Sequence, residues 1–263
     1  MSVTEFYDEL APWYHLIYEN WAISIERQSA ALDSVVRSVA GESYRSVLDI
    51  ACGVGTQSLG LAARGYDVTG SDISPRAIER ARSEAARRSL SIPFSVVDMR
   101  TAHAHHAREF DVVLCADNSL PHLLSNEEIS TALGQFFLCT RPGGLNIISV
   151  RDYAKVERGG LQIKPYGIRY DGSARYVLFQ VWEWRDPLYD LSFYFVRDDG
   201  TGECRTEVAR STYYAVTISE LIRLMEQAGF VDVRRVDDAF FQPLIVGIRP
   251  RGPNSSSSGR EEA

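Results

Sequence analysis

The chain has 263 residues, of which 45% are hydrophobic and 24% are charged, and its formal net charge at pH 7 is −7. This length and hydrophobic content suffice for one large folded domain and exclude a fibre, and no apolar run approaches the length of a membrane-spanning helix. The negative charge disfavours a nucleic acid as partner.

Apolar and aromatic residues recur at helical spacing in the N-terminal part of the chain. The pattern predicts helices over residues 4–19 and 22–40, the second of which ends at Gly41. We expect these helices to form an N-terminal cap over residues 1–42.

Strands and helices alternate in the next part of the chain. Between residues 47 and 149, apolar strands are separated by helical stretches such as 74–89 and 126–139. This alternation is typical of βαβ units around a parallel sheet. The sequence therefore predicts a doubly wound α/β core over residues 43–152.

The pattern changes after this core. Strand-like runs bounded by Asp-Gly and Asp-Pro turns fill residues 161–215, and they predict an antiparallel β insertion over 153–216 that covers the substrate as a lid. A helix over 217–228 and strands over 231–236 and 244–248 are then predicted to complete the core as residues 217–251. The serine-rich tail over 252–263 is predicted to be disordered.

A glycine-rich turn follows the first strand of the core. Gly53 and Gly55 come after an apolar run that begins at Val47, and without Cβ atoms they let the chain turn tightly and present backbone N–H groups to a ligand. A helix over 57–64 directs its N-terminus at the same place. The turn predicts a nucleotide-like cofactor, although close packing of a helix on a sheet also uses such glycines.

Acidic residues end the next two strands. Asp72 lies about twenty residues past the glycine turn, where a carboxylate accepts hydrogen bonds from ribose hydroxyls. Asp98 and Met99 suit the amino group and the ring face of an adenine. A dinucleotide fingerprint requires a third glycine where this chain has Ser58, so the pattern disfavours a nicotinamide dinucleotide relative to S-adenosylmethionine.

Together these motifs resemble the class I S-adenosylmethionine-dependent methyltransferases over about residues 46–150. The resemblance implies a seven-stranded Rossmann-like sheet, here with the N-terminal helical cap and the antiparallel β insertion. More narrowly, the chain resembles the glycine and sarcosine N-methyltransferase group in two places. These are residues 117–123 (Asp-Asn-Ser-Leu-Pro-His-Leu), and residues 141–144 (Arg-Pro-Gly-Gly) leading to 151–153 (Arg-Asp-Tyr). That group has Asn-Ser followed by His-Leu after the fourth strand, and Arg-Asn-Tyr-Asp after the fifth.

The resemblance implies S-adenosylmethionine as the cofactor. Asp72 is then the ribose acid, and Asp98 and Met99 clamp the adenine, while an arginine of the cap takes the carboxylate of the cofactor. The implied cofactor-binding residues are Trp21, Arg27, Asp49, Ala51, Gly53, Gly55, Asp72, Ile73, Asp98, Met99 and Ala116.

The resemblance also implies four catalytic residues. Arg151 stands where the group binds a small amino acid, and its planar fork can hold a carboxylate by two parallel hydrogen bonds. Asn118 is assigned to the substrate or to the methionyl end of the cofactor, Tyr14 to the aromatic wall of the pocket, and His122 to the cofactor or to a base. Each also has an ordinary structural explanation as a strand-end, turn or packing residue. Further candidates for the roof of the site are Tyr166, Tyr170, Tyr213 and Tyr214.

Asp152 departs from the group's pattern, because it places an acid beside Arg151. This acid either pairs with Arg151 or favours a cationic substrate, so the methyl acceptor stays open. We predict methyl transfer to the amine of a small, carboxylate-bearing metabolite, with the oligomeric state undetermined. The alternatives are an O- or C-methyltransferase that uses His122 or Asp152 as base, an NAD(P)-dependent oxidoreductase, and a binding protein without turnover.

The remaining histidines and the cysteines indicate neither a metal nor a disulfide. His103, His105 and His106 fall in an apparent loop without acids or thiols at ligand spacing, so we expect them to face solvent and predict no metal site. The scattered cysteines favour reduced, separately packed thiols. The acidic start of the chain favours a cytoplasmic location over secretion. The four cysteines are Cys52, Cys115, Cys139 and Cys204.

Overall fold

A computed structural model describes residues 1–252. The expected disordered tail therefore lies, from residue 253 onward, outside the described residues. The strands are β1 (Ser46–Asp49), β2 (Asp67–Asp72), β3 (Phe94–Val96), β4 (Phe110–Cys115), β5 (Thr140–Ser149), β6 (Leu161–Asp171), β7 (Ala174–Arg185), β8 (Leu188–Asp198), β9 (Cys204–Tyr214), β10 (Val231–Val236) and β11 (Leu244–Ile248). The α-helices are α1 (Val3–Leu10), α2 (Trp21–Ala40), α3 (Thr56–Ala63), α4 (Pro75–Arg87), α5 (Ala102–His106), α6 (Asn126–Cys139) and α7 (Ile218–Gln227), and 3₁₀ turns cover Ala11–Ile17, Met99–Thr101 and Leu120–His122.

The larger sheet has seven strands in the order β10-β11-β5-β4-β1-β2-β3. Strand β11 pairs antiparallel with both of its neighbours, and the other pairings are parallel. The chain builds outward from β1 through β2 to β3 and then crosses to β4 on the other side of β1. This reversal confirms the predicted doubly wound, Rossmann-like α/β fold.

Helices cover both faces of the larger sheet. Leu32 of α2 and Leu61 of α3 belong to the apolar core on one face. Phe136 of α6 and Leu221 of α7 pack with Ile148 of β5 in the core on the other face. Strands buried on both faces explain why the core strands read as continuous apolar runs rather than as alternating patterns.

Strands β6 to β9 form a separate four-stranded antiparallel sheet, which confirms the predicted antiparallel insertion. Side chains of β7 and β8 alternate between buried and more exposed positions, as a sheet with one covered face requires. Leu178, Trp182, Tyr189 and Phe193 belong to the same apolar core as α6 and α7. The insertion contacts the N-terminal helix α1 and the 3₁₀ turns at Ala11–Ile17 and Leu120–His122, so it does not stand apart from the rest of the chain.

The N-terminal segment differs from its prediction at one point. A capping box between Ser2 and Glu5 starts α1, but the helix ends at Leu10 instead of continuing to residue 19. Pro12 has no N–H to donate to the preceding turn, and its ring crowds that turn, so the chain continues as 3₁₀ turns. The second helix ends at the predicted Gly41, which has a φ of 59°.

The histidine-rich segment also differs from its prediction. His103, His105 and His106 lie in the short helix α5 rather than in a loop. His103 and His106 are partly buried, and His106 Nε2 lies 3.3 Å from Ser71 Oγ, so the expectation that all three face solvent is wrong for these two. Burial lowers the pKa of His106 to about 4. Within the described range, no group of three or more His, Cys, Asp or Glu side chains has the arrangement of a metal site.

None of the four cysteines forms a disulfide, and Cys204 alone among them is exposed. Among residues 1–252, no helix combines the length and the apolar character needed to cross a bilayer.

Candidate functional site

A cavity of about 250 Å³ lies at the carboxyl ends of β1 to β4. The strand order reverses between β1 and β4 at this edge, and open α/β sheets bind ligands at such a reversal. Eight of the residues that the sequence assigned to the site line this cavity: Tyr14, Ala51, Gly53, Asp72, Ile73, Asp98, Met99 and His122.

The glycine turn after β1 faces Asp72. Gly53 and Gly55 have φ angles of 53° and 94°, in the left-handed region that glycine adopts without strain. The backbone N–H of Gly53 donates to Asp72 Oδ2 at 2.9 Å, and the backbone N–H of Ser74 donates to Oδ1 at 2.9 Å. Burial raises the pKa of Asp72, and these two hydrogen bonds act against that rise. The turn therefore fixes a buried carboxylate at the cavity wall.

Asp98 is held by Arg100. The backbone N–H of Arg100 donates to Asp98 Oδ1 at 2.9 Å, and its Nη2 donates to Oδ2 at 2.6 Å. Burial acts to raise the pKa of Asp98, but the hydrogen bonds from Arg100 lower it overall. Arg100 Nη1 also donates to Glu128 Oε1 of α6 at 2.8 Å. Arg100 and Glu128 both line the cavity but were not among the predicted site residues. For Arg100, the Asp-x-Arg spacing was the available signal.

Three predicted cofactor residues, Asp49, Gly55 and Ala116, lie behind the cavity wall rather than on it. Ser58 Oγ donates to Asp49 Oδ2 at 2.6 Å, while Asp49 Oδ1 is buried without a hydrogen-bond partner among the described residues. Burial raises the pKa of Asp49 to about 7. Gly55 is the residue that precedes α3, and Ala116 is buried directly after β4.

The two predicted cofactor residues of the cap do not line the cavity either. The indole N–H of Trp21 donates to Thr56 Oγ1 at 2.9 Å, and Thr56 does line the cavity. Arg27 is exposed and lines a separate surface depression, because it follows buried Ile25 by two positions, about 200° around the helix. Thr56 and Gln57, in the first turn of α3, do line the cavity. The free N–H groups and the positive dipole end of this turn suit the carboxylate of a cofactor better than Arg27 does.

A second cavity of about 70 Å³ adjoins the first. Tyr7, Tyr14 and Asp117 line both cavities and so form a shared wall. The other polar residues that line the second cavity are Asn118, Arg151, Tyr166, Gln180, Tyr213 and Gln242.

The four tyrosines considered for the roof are divided by the structure. Tyr166 and Tyr213 line the second cavity. Tyr170 is exposed, and Tyr214, whose hydroxyl donates to Asn126 Oδ1 at 2.9 Å, lines neither cavity.

Arg151 lines the second cavity with its side chain held from two directions. Its Nη1 donates to the Tyr189 hydroxyl at 3.1 Å, and its guanidinium carbon lies 4.6 Å from the centre of the Trp182 ring. Asp152, the neighbouring acid, pairs instead with Arg235 of β10 (Oδ2 to Nη1, 2.8 Å). No carboxylate within residues 1–252 lies within 4.0 Å of the Arg151 guanidinium.

Asn118 connects Arg151 to a buried tyrosine network. Its Oδ1 accepts the backbone N–H of Arg151 at 3.0 Å, and its Nδ2 donates to the Tyr153 hydroxyl at 2.9 Å. The hydroxyls of Tyr153 and Tyr189 lie 3.1 Å apart. The network closes on the guanidinium, because Tyr189 is also the acceptor for Arg151.

Asp117 lines both cavities, although it was not among the predicted site residues and appeared only within the motif at residues 117–123. It has a φ of 57° and Asn118 follows with 61°, a conformation that Asp and Asn adopt more readily than other non-glycine residues. The hydroxyls of Tyr14 and Tyr18 donate to Asp117 Oδ2 at 3.1 and 3.0 Å. Burial raises the pKa of Asp117, and these bonds and the charge of Arg151 partly offset the rise. No local pattern identifies this residue, since the tyrosines that hold it lie 103 and 99 positions earlier.

His122 is buried at the edge of the first cavity. Its Nε2 lies 2.8 Å from the Tyr7 hydroxyl and its Nδ1 lies 3.1 Å from the Ser211 hydroxyl. The Tyr213 ring packs against it at 4.0 Å between ring centres. Burial lowers the pKa of His122 to about 3, so the imidazole is neutral near pH 7, and both of its nitrogens already have partners.

The sequence matches a family model described as a methyltransferase domain over residues 47–144. A glycine/sarcosine N-methyltransferase of Parasynechococcus marenigrum (strain WH8102) is 32% identical over 138 residues, which cover 52% of this chain and 49% of that protein. The alignment thus spans about half the length of that relative. A glycine/sarcosine N-methyltransferase of Aphanothece halophytica is 26% identical over 89% of this chain and 80% of its own length.

Solved structures share the fold. CalS10 of Micromonospora echinaspora, an amino pentose methyltransferase solved with S-adenosylmethionine bound, superposes with a TM-score of 0.73 at 18% identity, over 86% of this chain and 92% of that one.

The first cavity fits this cofactor. At Gly53 a Cβ atom would meet nothing within 4 Å, so the glycine leaves open space at the wall for a ligand. The carboxylate of Asp72 keeps lone pairs for ribose hydroxyls beyond its two backbone bonds, and Ile73 and Met99 offer apolar surface for a ring. Residues 47–144 form a methyltransferase domain, and the chain is similar to class I S-adenosylmethionine-dependent methyltransferases of the glycine/sarcosine N-methyltransferase group. The domain and the fit of the first cavity both indicate S-adenosylmethionine as the cofactor.

Proposed function

We propose that the protein transfers the methyl group to the amine nitrogen of a small, carboxylate-bearing metabolite. One observation carries this proposal: Arg151 lines the second cavity, and no carboxylate of residues 1–252 pairs with it. A guanidinium withdrawn from water is costly without a paired counter-charge, and Asp117, the carboxylate that lines the same cavity, forms no ion pair with it. A substrate carboxylate supplies that charge and accepts two parallel hydrogen bonds from the planar fork.

The size of the second cavity supports a small acceptor. At about 70 Å³, it is well below the roughly 300 Å³ at which pockets for drug-sized ligands begin. The two relatives are named for methylation of glycine and sarcosine, which carry a carboxylate, and the structural neighbour is named for an amino pentose. An amine is common to all three names, and the cavity volume favours the smaller kind of acceptor.

The two cavities give each residue a place in the reaction. S-adenosylmethionine, when bound, supplies a methyl group on a positively charged sulfur. Arg151 fixes the carboxylate end of the acceptor and so the direction of its amine, which points to the wall formed by Tyr7, Tyr14 and Asp117. Holding the two reactants in line supplies much of the acceleration such a displacement needs. In this proposal residues 1–42 act as a cap and 153–216 as a lid that excludes water.

The alternative of oxygen or carbon methylation needs a base, and both candidates have other partners. The nitrogens of His122 are occupied by Tyr7 and Ser211, and Asp152 is paired with Arg235. A phenol would have to displace one of these contacts to transfer its proton. Ser58, where a dinucleotide fingerprint has glycine, is bonded to buried Asp49, which gives no support to the oxidoreductase alternative.

Transfer of labelled methyl groups to a pooled library tests the proposed function. The pool contains small amino acids, simple amines without a carboxylate, amino sugars and phenols, and mass spectrometry identifies the methylated product. We expect label on the nitrogen of a small amino acid. Label on phenols or only on amines without a carboxylate would contradict the proposal.

Arg151→Lys tests the role of the guanidinium, with Arg210→Lys as matched control, because Arg210 is an exposed arginine of the same insertion. Loss of a bidentate, charged hydrogen bond costs about 1.5–3 kcal/mol, so we expect KM for the acceptor to rise about 10- to 150-fold in Arg151→Lys. Cofactor affinity should stay unchanged in both variants. Equal effects on acceptor and cofactor would mark Arg151 as a structural residue.

A further inference from the structure

Asp117 lies where the two cavities meet. It lines both cavities, and it is the only carboxylate among the described residues that lines the second. Arg151 lines the same small space. The second cavity therefore carries one positive and one negative side chain, and these complement the carboxylate and the ammonium group of a zwitterionic amino acid.

Asp117 is held rigidly, and one of its oxygens is left available. Its backbone N–H donates to Ser149 Oγ at 2.7 Å, and both tyrosine hydroxyls, from Tyr14 and Tyr18, donate to Oδ2. No donor within residues 1–252 reaches Oδ1. A carboxylate fixed on one oxygen and free on the other is arranged to accept a proton or a hydrogen bond from a ligand.

The other titratable groups at the shared wall do not compete for this role. Tyr7 and Tyr14 have pKa values raised well above their usual range, mainly by burial, so they remain neutral donors. His122 is neutral with both nitrogens engaged. Burial also raises the pKa of Asp117, and a more basic carboxylate is a better proton acceptor at neutral pH.

We propose that Asp117 is a catalytic residue that binds the ammonium group of the acceptor through Oδ1 and takes one proton from it before the methyl group is transferred. This inference rests on the proposed function, since it presumes an amine acceptor. It assigns a general base at a position other than His122 and Asp152, the two candidates that the sequence offered.

The substrate ammonium passes a proton to the Asp117 carboxylate, which leaves a neutral amine and a carboxylic acid. The amine lone pair forms the new N–C bond while the C–S bond breaks, and the electron pair of that bond stays on sulfur. The methylated product departs as an ammonium ion, and Asp117 returns its proton to solvent.

Asp117→Asn separates this role from a purely structural one. Asparagine accepts a φ of 57°, and its amide oxygen can still accept hydrogen bonds from Tyr14 and Tyr18, but it carries no charge and takes no proton. Tyr18→Phe is the matched control, because it removes one of the two bonds to Oδ2 while Tyr18 lines neither cavity.

The first measurement is the rate of methyl transfer against pH, with the amino acid identified in the library screen. We expect kcat/KM of Asp117→Asn at pH 7 to fall about 10²- to 10⁴-fold, the usual contribution of a general base. Its rate should then rise tenfold per pH unit towards the pKa of the free amine, since only the neutral amine can react. A wild-type rate and pH profile in Asp117→Asn would overturn the proposal, as would an equal loss in Tyr18→Phe.

The second measurement needs no turnover. Calorimetry of the protein with S-adenosylhomocysteine compares binding of the same amino acid and of the carboxylic acid that lacks its amino group. Asp117→Asn should weaken the amino acid at least tenfold and leave the carboxylic acid unchanged, whereas equal effects on the two ligands would overturn the assignment. A screen in which no amine accepts the label would instead refute the proposed function itself, so the two failures are distinguishable.

Discussion

Replacing Asp72 by alanine tests the part of the site on which cofactor binding depends. The side chain accepts backbone N–H groups from Gly53 and Ser74, each at 2.9 Å, and it is almost fully buried. Each buried N–H left without an acceptor costs about 1–3 kcal/mol, so we expect the free energy of unfolding to fall. Hydrogen bonds to a charged group contribute about 1.5–3 kcal/mol, so the Kd for S-adenosylmethionine should rise by a further 10- to 150-fold, roughly.

The assay must separate loss of stability from loss of binding. Asp8→Ala is the matched control. Asp8 accepts hydrogen bonds from Ser74 Oγ (2.6 Å) and from the backbone N–H of Arg76 (3.0 Å), both at the start of α4, and it does not line the cavity. Urea unfolding should show both variants destabilised, and calorimetric titration should show weaker cofactor binding in Asp72→Ala alone. Destabilisation of Asp72→Ala with a wild-type Kd would mean that the carboxylate serves only the glycine turn.

Two further predictions concern residues around the second cavity. Asn118→Ala removes the acceptor that holds the backbone of Arg151, so steady-state kinetics should show a higher KM for the acceptor with unchanged cofactor affinity, and an unchanged KM would show that Tyr189 alone positions the guanidinium. The pKa of His122 is about 3 in the folded protein, below its unfolded value of about 6.5. Between these two pH values the unfolded chain binds more protons than the folded one, so the free energy of unfolding falls as the pH drops. Urea unfolding at pH 7, 6 and 5 should show a shallower fall for His122→Gln than for the wild type, and identical slopes would contradict this reasoning.

Much of the lining of the first cavity could be predicted because its signals are local. Gly53, Asp72 and Met99 each stand at the end of an apolar strand, and parallel strands bring their carboxyl ends to one edge of a sheet. The parallel α/β class of the core followed from the alternation of strands and helices, and the resemblance supplied the seven-stranded sheet. Arg27 was placed by resemblance alone, and the direction of α2 turns it away from the cavity.

The acceptor side depends on contacts between distant parts of the chain, which the sequence does not reveal. Asp152 looked like a partner for Arg151 because the two are adjacent, yet its partner is Arg235 on a strand 83 positions later. Asp117 acquires its environment from Tyr14 and Tyr18 in the cap. The end of α1 was within reach of local reasoning, since Pro12 was visible as a helix breaker.

The left-handed backbone at positions 117 and 118 restricts how the acceptor site can change. Glycine, asparagine and aspartate tolerate such a conformation, whereas other residues lose about 1–2 kcal/mol there. An exchange between aspartate and asparagine at position 117 therefore alters the charge that meets the acceptor without any backbone cost. Glutamate or lysine would carry that cost as well as a longer side chain, so diversification of substrate preference at this point has few single-residue routes.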